Sequence, residues 1–243
     1  PQYCSLLLQI AHLHQSTPEI IQYIRSMPVT QNGDMSSQYN QIASPSELES
    51  GSQIFSALNI NSLMKNIELD SFEDPTEQTQ DKILFIINNL SFTNLDAKVS
   101  EALDLLHPNY ARWFSHYIVV KRASIEPNFH SLYVSFIDGL KMPIIESIII
   151  LETLSEIRDL INSEKTLNSS QERSLLKNLG TWLGSITLAK NKPIKHSNLA
   201  FKELLLQGYD NKRLIVVIPF VCKVLEQSNA SRVFKPPNPW LMA

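Results

Sequence analysis

The sequence predicts an all-α protein, an α-solenoid in which helical hairpins stack in a row. Apolar residues recur every three or four positions in eight or nine segments of about 12–20 residues. The connections between most of these segments are short, and no segment is typical of a β-strand. Consecutive helices joined by short connections pack as antiparallel hairpins, and stacked hairpins form a solenoid of the HEAT type.

Prolines, capping residues and apolar spacing indicate where each helix begins and ends. Pro108 and Pro127 occupy first-turn positions, and Thr93 is suited to an N-cap. The isoleucine-rich segment 143–161 is strand-like locally, but its length and the spacing of its charged residues favour a helix. Pro219 is expected to kink or split the last helix. The predicted helices are 75–90, 93–106, 108–124, 127–141, 143–161, 170–190, 199–207 and 212–227.

The segment 171–195 is the most informative part of the chain. Gly180 and Gly184 lie in the middle of its helix, where each glycine costs about 1 kcal/mol relative to alanine. We therefore expect another helix to pass close to them, with Leu179, Trp182 and Leu183 in the core. The same segment has a basic edge, because one acid, Glu172, faces five cations: Arg173, Lys177, Lys190, Lys192 and Lys195.

The first 58 residues differ from the rest. Residues 5–27 predict two short helices, the second starting at the Thr17-Pro18 pair. Residues 28–50 are rich in Ser, Gln, Asn and Pro and predict a flexible linker. The expected organisation is an N-terminal helical extension (1–27), a polar linker with a short helix (28–58) and a HEAT-like scaffold domain (59–243).

The two halves of the chain differ in the sign of their net charge. Residues 1–120 contain 5 Lys/Arg and 13 Asp/Glu, whereas residues 121–243 contain 16 and 11. This asymmetry favours two different partner surfaces over a single nucleic-acid groove.

No apolar run reaches the length of a membrane span. Cys4 and Cys222 form no CxxC pair, which favours free thiols in a reducing compartment.

No motif for catalysis, cofactors or metals is recognisable. The sequence lacks GxGxxG, GxxxxGK, HExxH and GxSxG patterns. His12 and His14 would face different sides of a helix, and His130 is expected to make a hydrogen bond on a helix surface. The carboxylates of helix 143–161 are expected to form a solvated face, and a general acid/base pair is the alternative. These carboxylates are Glu146, Glu152, Glu156 and Asp159. We therefore expect a protein that is not an enzyme and has no cofactor.

Four blocks of sequence resemble a known family. They are KRASIEPNFHSLYVSFIDGL (121–140), RSLLKNLGTWLGSITLAKNKPI (173–194), VVIPFVCKVLEQS (216–228) and FKPPNPWLMA (234–243). They resemble the central domain of Not-one, the scaffold subunit of the eukaryotic Ccr-four–Not deadenylase complex. The resemblance covers residues 59–243. It implies about five HEAT-like hairpins in a crescent, similar to the middle domain of translation initiation factor four-G.

The same resemblance implies the partners and the location. In this family the domain docks a Caf-one type poly(A) nuclease, which carries the nuclease Ccr-four, and a DEAD-box helicase of the Dhh-one type. We therefore expect a non-enzymatic scaffold of mRNA decay that links deadenylation to translational repression. It is expected to be monomeric as an isolated domain and cytoplasmic, in processing bodies, with a nuclear location in addition. Neither a membrane nor strong direct nucleic-acid binding is expected.

Candidate contact residues come from the basic half of the chain. An exposed aromatic at a loop end is a favoured anchor, although Phe129 could instead be buried in a capping turn. Arg173 and Lys177 lie at a helix start, where an external acidic partner would offset their unfavourable position. Lys190 and Lys192 lie near the C-terminal end of the same helix, where the helix dipole favours cations. The dipole explains their positions more simply than a partner contact does. The residues predicted to dock the helicase are Lys121, Arg122, Asn128, Phe129, His130, Arg173, Lys177, Lys190 and Lys192.

The remaining surfaces leave alternatives open. The acidic half is the expected side for the nuclease, with no residues assigned. The segment 234–243 should run extended through its prolines, with Trp240 closing the last hairpin; a proline-rich recognition motif is the alternative. Two other functions remain as rivals: an RNA-binding helical-repeat module, and a hydrolase that would use His130 or Glu152.

Overall fold

The regular structure of the chain is helical, as predicted. The computed structural model describes residues 55–60, 72–235 and 237–242. Within these ranges the only β-type pairing is an isolated antiparallel bridge between Leu58 and Leu199. No described helix combines the length and the apolar character that crossing a membrane would require. The helices predicted in 5–27 and the linker predicted at 28–50 lie outside the described residues.

The helices follow one another with short connections. We number the α-helices in chain order: α1 Glu77–Asn88, α2 Leu95–Leu103, α3 Ala111–His116, α4 His130–Leu140, α5 Pro143–Asn162, α6 Glu164–Asn168, α7 Ser170–Ile186, α8 Phe201–Asp210, α9 Leu214–Glu226 and α10 Pro239–Met242. Short 3₁₀ turns cover Pro108–Tyr110, Pro127–Phe129, Leu188–Lys190 and Gln227–Ala230, and a π-helix covers Tyr117–Ala123.

The helices pair as the solenoid prediction requires. Helix α1 packs on α2, the π-helix after α3 packs on α4, α5 packs on α7, and α8 packs on α9. The second helices of these hairpins also contact one another in series, α2 with α4, α4 with α7, and α7 with α9. The described residues thus contain four hairpins of an all-α solenoid. The predicted number of about five refers to 59–243, which includes residues 61–71, outside the described ranges.

Side chains and prolines define the helix starts. The Thr76 hydroxyl accepts a hydrogen bond from the Thr79 amide before α1, and the Ser169 hydroxyl accepts one from the Glu172 amide before α7. Pro143 is the first residue of α5. The predicted helix 108–124 differs in detail, because it consists of a 3₁₀ turn, α3 and the π-helix.

Pro219 does not split α9, which contradicts one of the two outcomes expected for it. The helix runs without interruption from Leu214 to Glu226. A proline removes the amide that would bond to the carbonyl four residues earlier, here that of Ile215. Because Ile215 is exposed, water can satisfy that carbonyl. The buried face of α9, which includes Phe220 and Val224, stays packed on α7.

The two glycines of α7 lie where the helix meets α9. A Cβ atom at Gly180 would lie 2.9 Å from the carbonyl oxygen of Phe220, and one at Gly184 would lie 2.5 Å from that of Val224. Both distances are shorter than van der Waals contact allows, so only glycine permits this approach. The prediction that a helix passes close to the glycine pair is confirmed. Trp182, between them, is completely buried and donates a hydrogen bond to the Thr153 hydroxyl of α5.

A buried arginine joins α5 to α9. Arg213 is 2% exposed and donates to the carbonyl oxygens of Ile161 and Ser163, both at 3.0 Å, at the end of α5. Its other terminal nitrogen pairs with the Glu164 carboxylate. A cation at a helix C-terminus satisfies unpaired carbonyls and interacts favourably with the helix dipole. This contact was not predicted, because Arg213 falls at the start of the predicted helix 212–227 and its carbonyl partners are 50–52 residues away in the sequence.

We predict that Gly184→Ala destabilises the fold by about 2 kcal/mol, despite the better helix propensity of alanine. The added methyl would meet a backbone carbonyl that cannot move without separating α7 from α9. Thermal unfolding should show a fall in Tm of about 4–8 °C. Gly208→Ala is the matched control, because the three atoms nearest to its Cβ would belong to the side chains of Val217 and Leu214, the closest at 3.0 Å, and not to the backbone. Equal effects of the two substitutions would contradict the close-approach explanation.

Candidate partner-docking surfaces

The predicted contact residues gather at two neighbouring parts of the solenoid. One is the connection between the first and second helices of the second hairpin, residues 121–130. The other is α7 with the turn that follows it. A hydrogen bond joins them, because the Asn178 side chain in α7 donates to the Ser124 carbonyl at 2.7 Å. The connection therefore has a fixed position against the middle of the solenoid.

The first part exposes an apolar patch with polar neighbours. Phe129 is 49% exposed, and Ile125 is 55% exposed. Lys121 and Asn128 are exposed as well. We call these four residues the Phe129 patch. The expected alternative, in which Phe129 is buried in a capping turn, is wrong. Ile125 was missed by the sequence analysis, although an apolar residue just before Glu126-Pro127 falls outside the helical pattern and could have indicated it.

Arg122 does not belong to this exposed patch. Its Nε atom lies 3.3 Å from a Glu126 carboxylate oxygen and donates to the Tyr133 hydroxyl at 3.2 Å. The Tyr133 hydroxyl in turn donates to Glu126. Burial, followed by this hydrogen bond, raises the pKa of Tyr133. Arg122 is thus neutralised within the chain and holds the shape of the connection that carries the patch.

His130 is a core residue, and the expected hydrogen bond on the helix surface is instead a buried one. The side chain is 4% exposed, and its Nε2 donates to the Ala123 carbonyl at 2.7 Å. Its ring lies 5.3 Å from the Trp182 ring, edge to face. No described group bonds to Nδ1, so the neutral form fits this site, and burial lowers the pKa of His130. A partner cannot reach this side chain in the folded domain.

Arg173 and Lys177 differ in how their charges are compensated. Arg173 donates to the carbonyl oxygens of Thr166 at 3.1 Å and Leu167 at 2.7 Å, at the end of α6. The chain itself therefore offsets the charge of Arg173, so an external acid is not required there. Its contact with a partner stays a prediction. For Lys177, no carboxylate of the described residues lies within ion-pair distance. Burial, then Lys223 and Arg173, lower the pKa of Lys177.

The two lysines after α7 are paired within the chain. Lys190 forms an ion pair with Asp138 of α4, and the Lys192 Nζ lies 2.6 Å from Glu146 of α5. These pairs tie the turn to two other helices, although exposed pairs of this kind contribute little stability, about 0–1 kcal/mol. The sequence explained both lysines by the favourable dipole at the C-terminal end of the helix. In the structure each lysine instead pairs with a carboxylate.

Asn191 fixes the end of the solenoid. Its backbone adopts φ = 60°, a left-handed conformation that asparagine tolerates better than most residues. Its Oδ1 accepts hydrogen bonds from the Ser231 hydroxyl and from the Arg232 and Val233 amides. The sequence analysis did not identify this residue.

Trp240 closes the last hairpin, as expected. Its indole nitrogen donates to the Ile194 carbonyl at 3.2 Å, and its ring packs edge to face on Phe201 and Phe234. A short helix, α10, begins at Pro239, so the segment is not extended to its end.

The carboxylates of α5 are mostly held in ion pairs. Glu146 pairs with Lys192, Asp159 with Arg158 at 3.0 Å, and Glu152 with the His116 ring at 2.7 Å. The hydrogen bond to Glu152 raises the pKa of His116, and burial opposes it. Burial raises the pKa of Glu156. Among the described residues no group of three or more His, Cys, Asp and Glu side chains is placed to hold a metal ion.

Comparison with known proteins supports the resemblance. A family model described as the CCR4-NOT transcription complex subunit 1 CAF1-binding domain matches residues 71–243. The general negative regulator of transcription subunit 1 of Schizosaccharomyces pombe is 42% identical over 246 residues, which cover 99% of this chain. The chain belongs to the CCR4-NOT subunit 1 family. The resemblance seen in the four sequence blocks is thus confirmed.

Two further relatives extend the comparison of this CCR4-NOT subunit 1 domain. The protein of the same description from Saccharomyces cerevisiae is 42% identical over 168 residues, 69% of the chain. The CCR4-NOT transcription complex subunit let-711 of Caenorhabditis elegans is 37% identical over 198 residues, 77% of the chain. The chain spans 12% of the length of the S. pombe protein and 8% of each of the other two.

Residues 55–60 precede the family match and pack on it. Phe55, Leu58 and Ile60 are buried. The Ala57 carbonyl accepts a hydrogen bond from the Ala200 amide, and the Asn59 amide donates to the Asn198 carbonyl. This segment lies beside the start of α8 and is not helical, whereas a short helix was expected in the last part of 28–58; residues 52–54 lie outside the described residues.

We predict that His116 and His130 of this CCR4-NOT subunit 1 domain titrate on opposite sides of the ordinary value, 6.5. The raised pKa of His116 means that its contribution to stability is complete below pH 6.5 and is lost as pH rises through the folded pKa. For His130 the contribution is complete above pH 6.5 and is lost as pH falls through its lowered folded pKa.

An NMR titration of the histidine ring signals checks this order. His116→Gln identifies the first signal, and contact with the Trp182 indole identifies that of His130. A midpoint for His130 above that of His116 would contradict the structure.

Proposed function

We propose that this domain is a non-catalytic scaffold that docks a Caf-one type poly(A) nuclease, and Ccr-four through it. The observation that carries the proposal is the match of residues 71–243 to a family described as a CAF1-binding domain. The match includes all four described hairpins. The scaffold acts by raising the local concentration of the nuclease and fixing its orientation, which requires no catalytic group of its own.

The second proposed partner is a DEAD-box helicase of the Dhh-one type. Its docking would link poly(A) tail shortening to translational repression and mRNA decay in cytoplasmic processing bodies. Two features of the described surface support a protein partner at the middle of the solenoid. The Phe129 patch offers an exposed aromatic and an exposed isoleucine on a fixed connection, and such residues are common anchors of interfaces. Lys177 offers a half-buried cation without an acidic partner in the described residues.

RNA binding is the second candidate function at the same place. Lys177, Arg173 and Lys223 are close enough to affect one another, since both neighbours lower the pKa of Lys177. Such a cluster favours an anionic ligand, either a carboxylate of a protein or a phosphate of RNA. The protein ligand is favoured, because Arg173 is bonded to carbonyls and Lys223 lies 3.0 Å from Glu226. These contacts leave Lys177 as the main cation for an external anion.

We predict that Phe129→Ser/Lys177→Glu lowers helicase capture by about tenfold or more, whereas nuclease capture changes by less than about twofold. The substitutions remove the apolar anchor and reverse the uncompensated charge, without touching the buried contacts of His130 or Arg173. Pulldown of each purified partner by the chain measures both affinities. Phe92→Ser/Lys195→Glu is the matched control, because it changes the same residue types at other exposed positions.

The outcomes separate the proposals. Failure of the wild-type chain to capture the nuclease would overturn the scaffold function. Capture of the nuclease but not of the helicase would remove only the second partner. Tight binding of a poly(A) oligonucleotide that weakens steeply with salt and is lost with Lys177→Glu would favour the RNA-binding function instead.

A further inference from the structure

An open groove lies between α1 and α2, at the acidic end of the described chain. Its volume is about 470 Å³, and neither the Phe129 patch nor Lys177 lines it. The floor is apolar and the rim is charged. The lining residues are Asp81, Lys82, Phe85, Ile86, Glu101, Asp104 and Leu105.

Phe85 is the most informative of these residues. It is 64% exposed although it lies in the middle of a regular helix. One contact on its ring is known, because the Lys98 Nζ lies 5.8 Å from the ring centroid. Large aromatic side chains contribute strongly to binding when a partner covers them. The exposed Phe85 ring, with the half-buried Leu105 and the nearly buried Ile86 beside it, therefore offers an apolar surface to a side chain of a partner.

The charge around the groove defines the chemistry of its occupant. Residues 72–107 contain seven Asp/Glu and two Lys, a balance of −5. Glu101 is compensated by Lys98 at 2.7 Å. For Asp81 and Asp104, no cation of the described residues lies within ion-pair distance. Lys82 also lines the groove, but Asp81 and Asp104 outnumber it. Two carboxylates beside an apolar floor complement a lysine or arginine on each side of an apolar residue.

The size of the groove limits the length of the contact. The lining positions of α1, residues 81–86, extend over about 8 Å along the helix axis. The opposite wall contributes three lining residues, between positions 101 and 105, against four from α1. This space receives one or two side chains of a short segment and is too small to be the whole interface of a folded domain.

We propose that the α1–α2 groove docks a short basic segment of a partner protein. The segment inserts one large apolar side chain against Phe85, Ile86 and Leu105, and it places lysine or arginine side chains beside Asp81 and Asp104. This site is separate from the helicase contact proposed above and provides the scaffold with a further attachment point.

The test uses a fluorescein-labelled peptide with a central Phe-Leu pair and three lysine or arginine residues on each side. Fluorescence anisotropy with the wild-type chain should show saturable binding. Phe85→Ser should weaken it by about tenfold or more, and so should Asp81→Lys/Asp104→Lys. A peptide with Ser-Ser in place of Phe-Leu should bind about tenfold more weakly, because the apolar anchor is missing.

Two matched controls make the test specific. Phe92→Ser removes an equally exposed phenylalanine, 64%, from the same hairpin but outside the groove. Glu77→Lys/Asp96→Lys reverses two exposed acids of the same helices that do not line the groove. Both should change the affinity by less than about twofold. Unchanged thermal unfolding verifies that each variant is folded. If Phe85→Ser is unstable, the comparison of Asp81→Lys/Asp104→Lys with Glu77→Lys/Asp96→Lys still tests the proposal.

Three results would overturn the proposal. One is the absence of saturable binding to the wild-type chain. Another is equal weakening by Phe85→Ser and Phe92→Ser, or by the two charge-reversal pairs, which would indicate attraction to the acidic hairpin as a whole. The last is equal binding of the peptide without its apolar anchor.

Discussion

The close approach of α7 and α9 is the constraint on which the rest of this solenoid depends. Gly180 and Gly184 bring the α7 backbone against the carbonyls of Phe220 and Val224. At this separation the two helices pack through their backbones, and larger side chains are directed to the sides. Trp182 is one of these, and it reaches α5 through Thr153 and contacts His130 of α4. One helix therefore fixes the position of three others, including the one that follows the Phe129 patch.

Much of this arrangement was readable from the sequence, since apolar spacing and the cost of mid-helix glycine are local properties. The helices and the glycine crossing were predicted for that reason, and the closing role of Trp240 was predicted from the prolines that precede it. Pro219 shows the limit of such rules, because its effect depends on whether the freed carbonyl can reach water, and here that carbonyl belongs to Ile215, a residue that is 37% exposed. Asn191 and Arg213 were missed because each acts on carbonyls, amides or hydroxyls that are distant in sequence, 40–42 residues away for Asn191 and 50–52 for Arg213.

The candidate site was predicted less well than the fold, and the reason is charge compensation. The sequence gives nine similar candidates, but it does not show which cations the chain neutralises itself. The structure pairs Arg122, Lys190 and Lys192 with carboxylates, and Arg173 with carbonyls. His130 is buried. What remains outward is the Phe129 patch and Lys177, a smaller surface with an apolar centre, which suits a protein partner better than a nucleic-acid backbone.

The proposed scaffold function requires that the two proposed partners bind different surfaces. The most direct measurement is native mass spectrometry of the chain mixed with the Caf-one type nuclease and the Dhh-one type helicase in equal amounts. Our account predicts a 1:1:1 complex, and the Phe129→Ser/Lys177→Glu variant should form only the complex with the nuclease. Two exclusive binary complexes with the wild-type chain, and no ternary species, would contradict it.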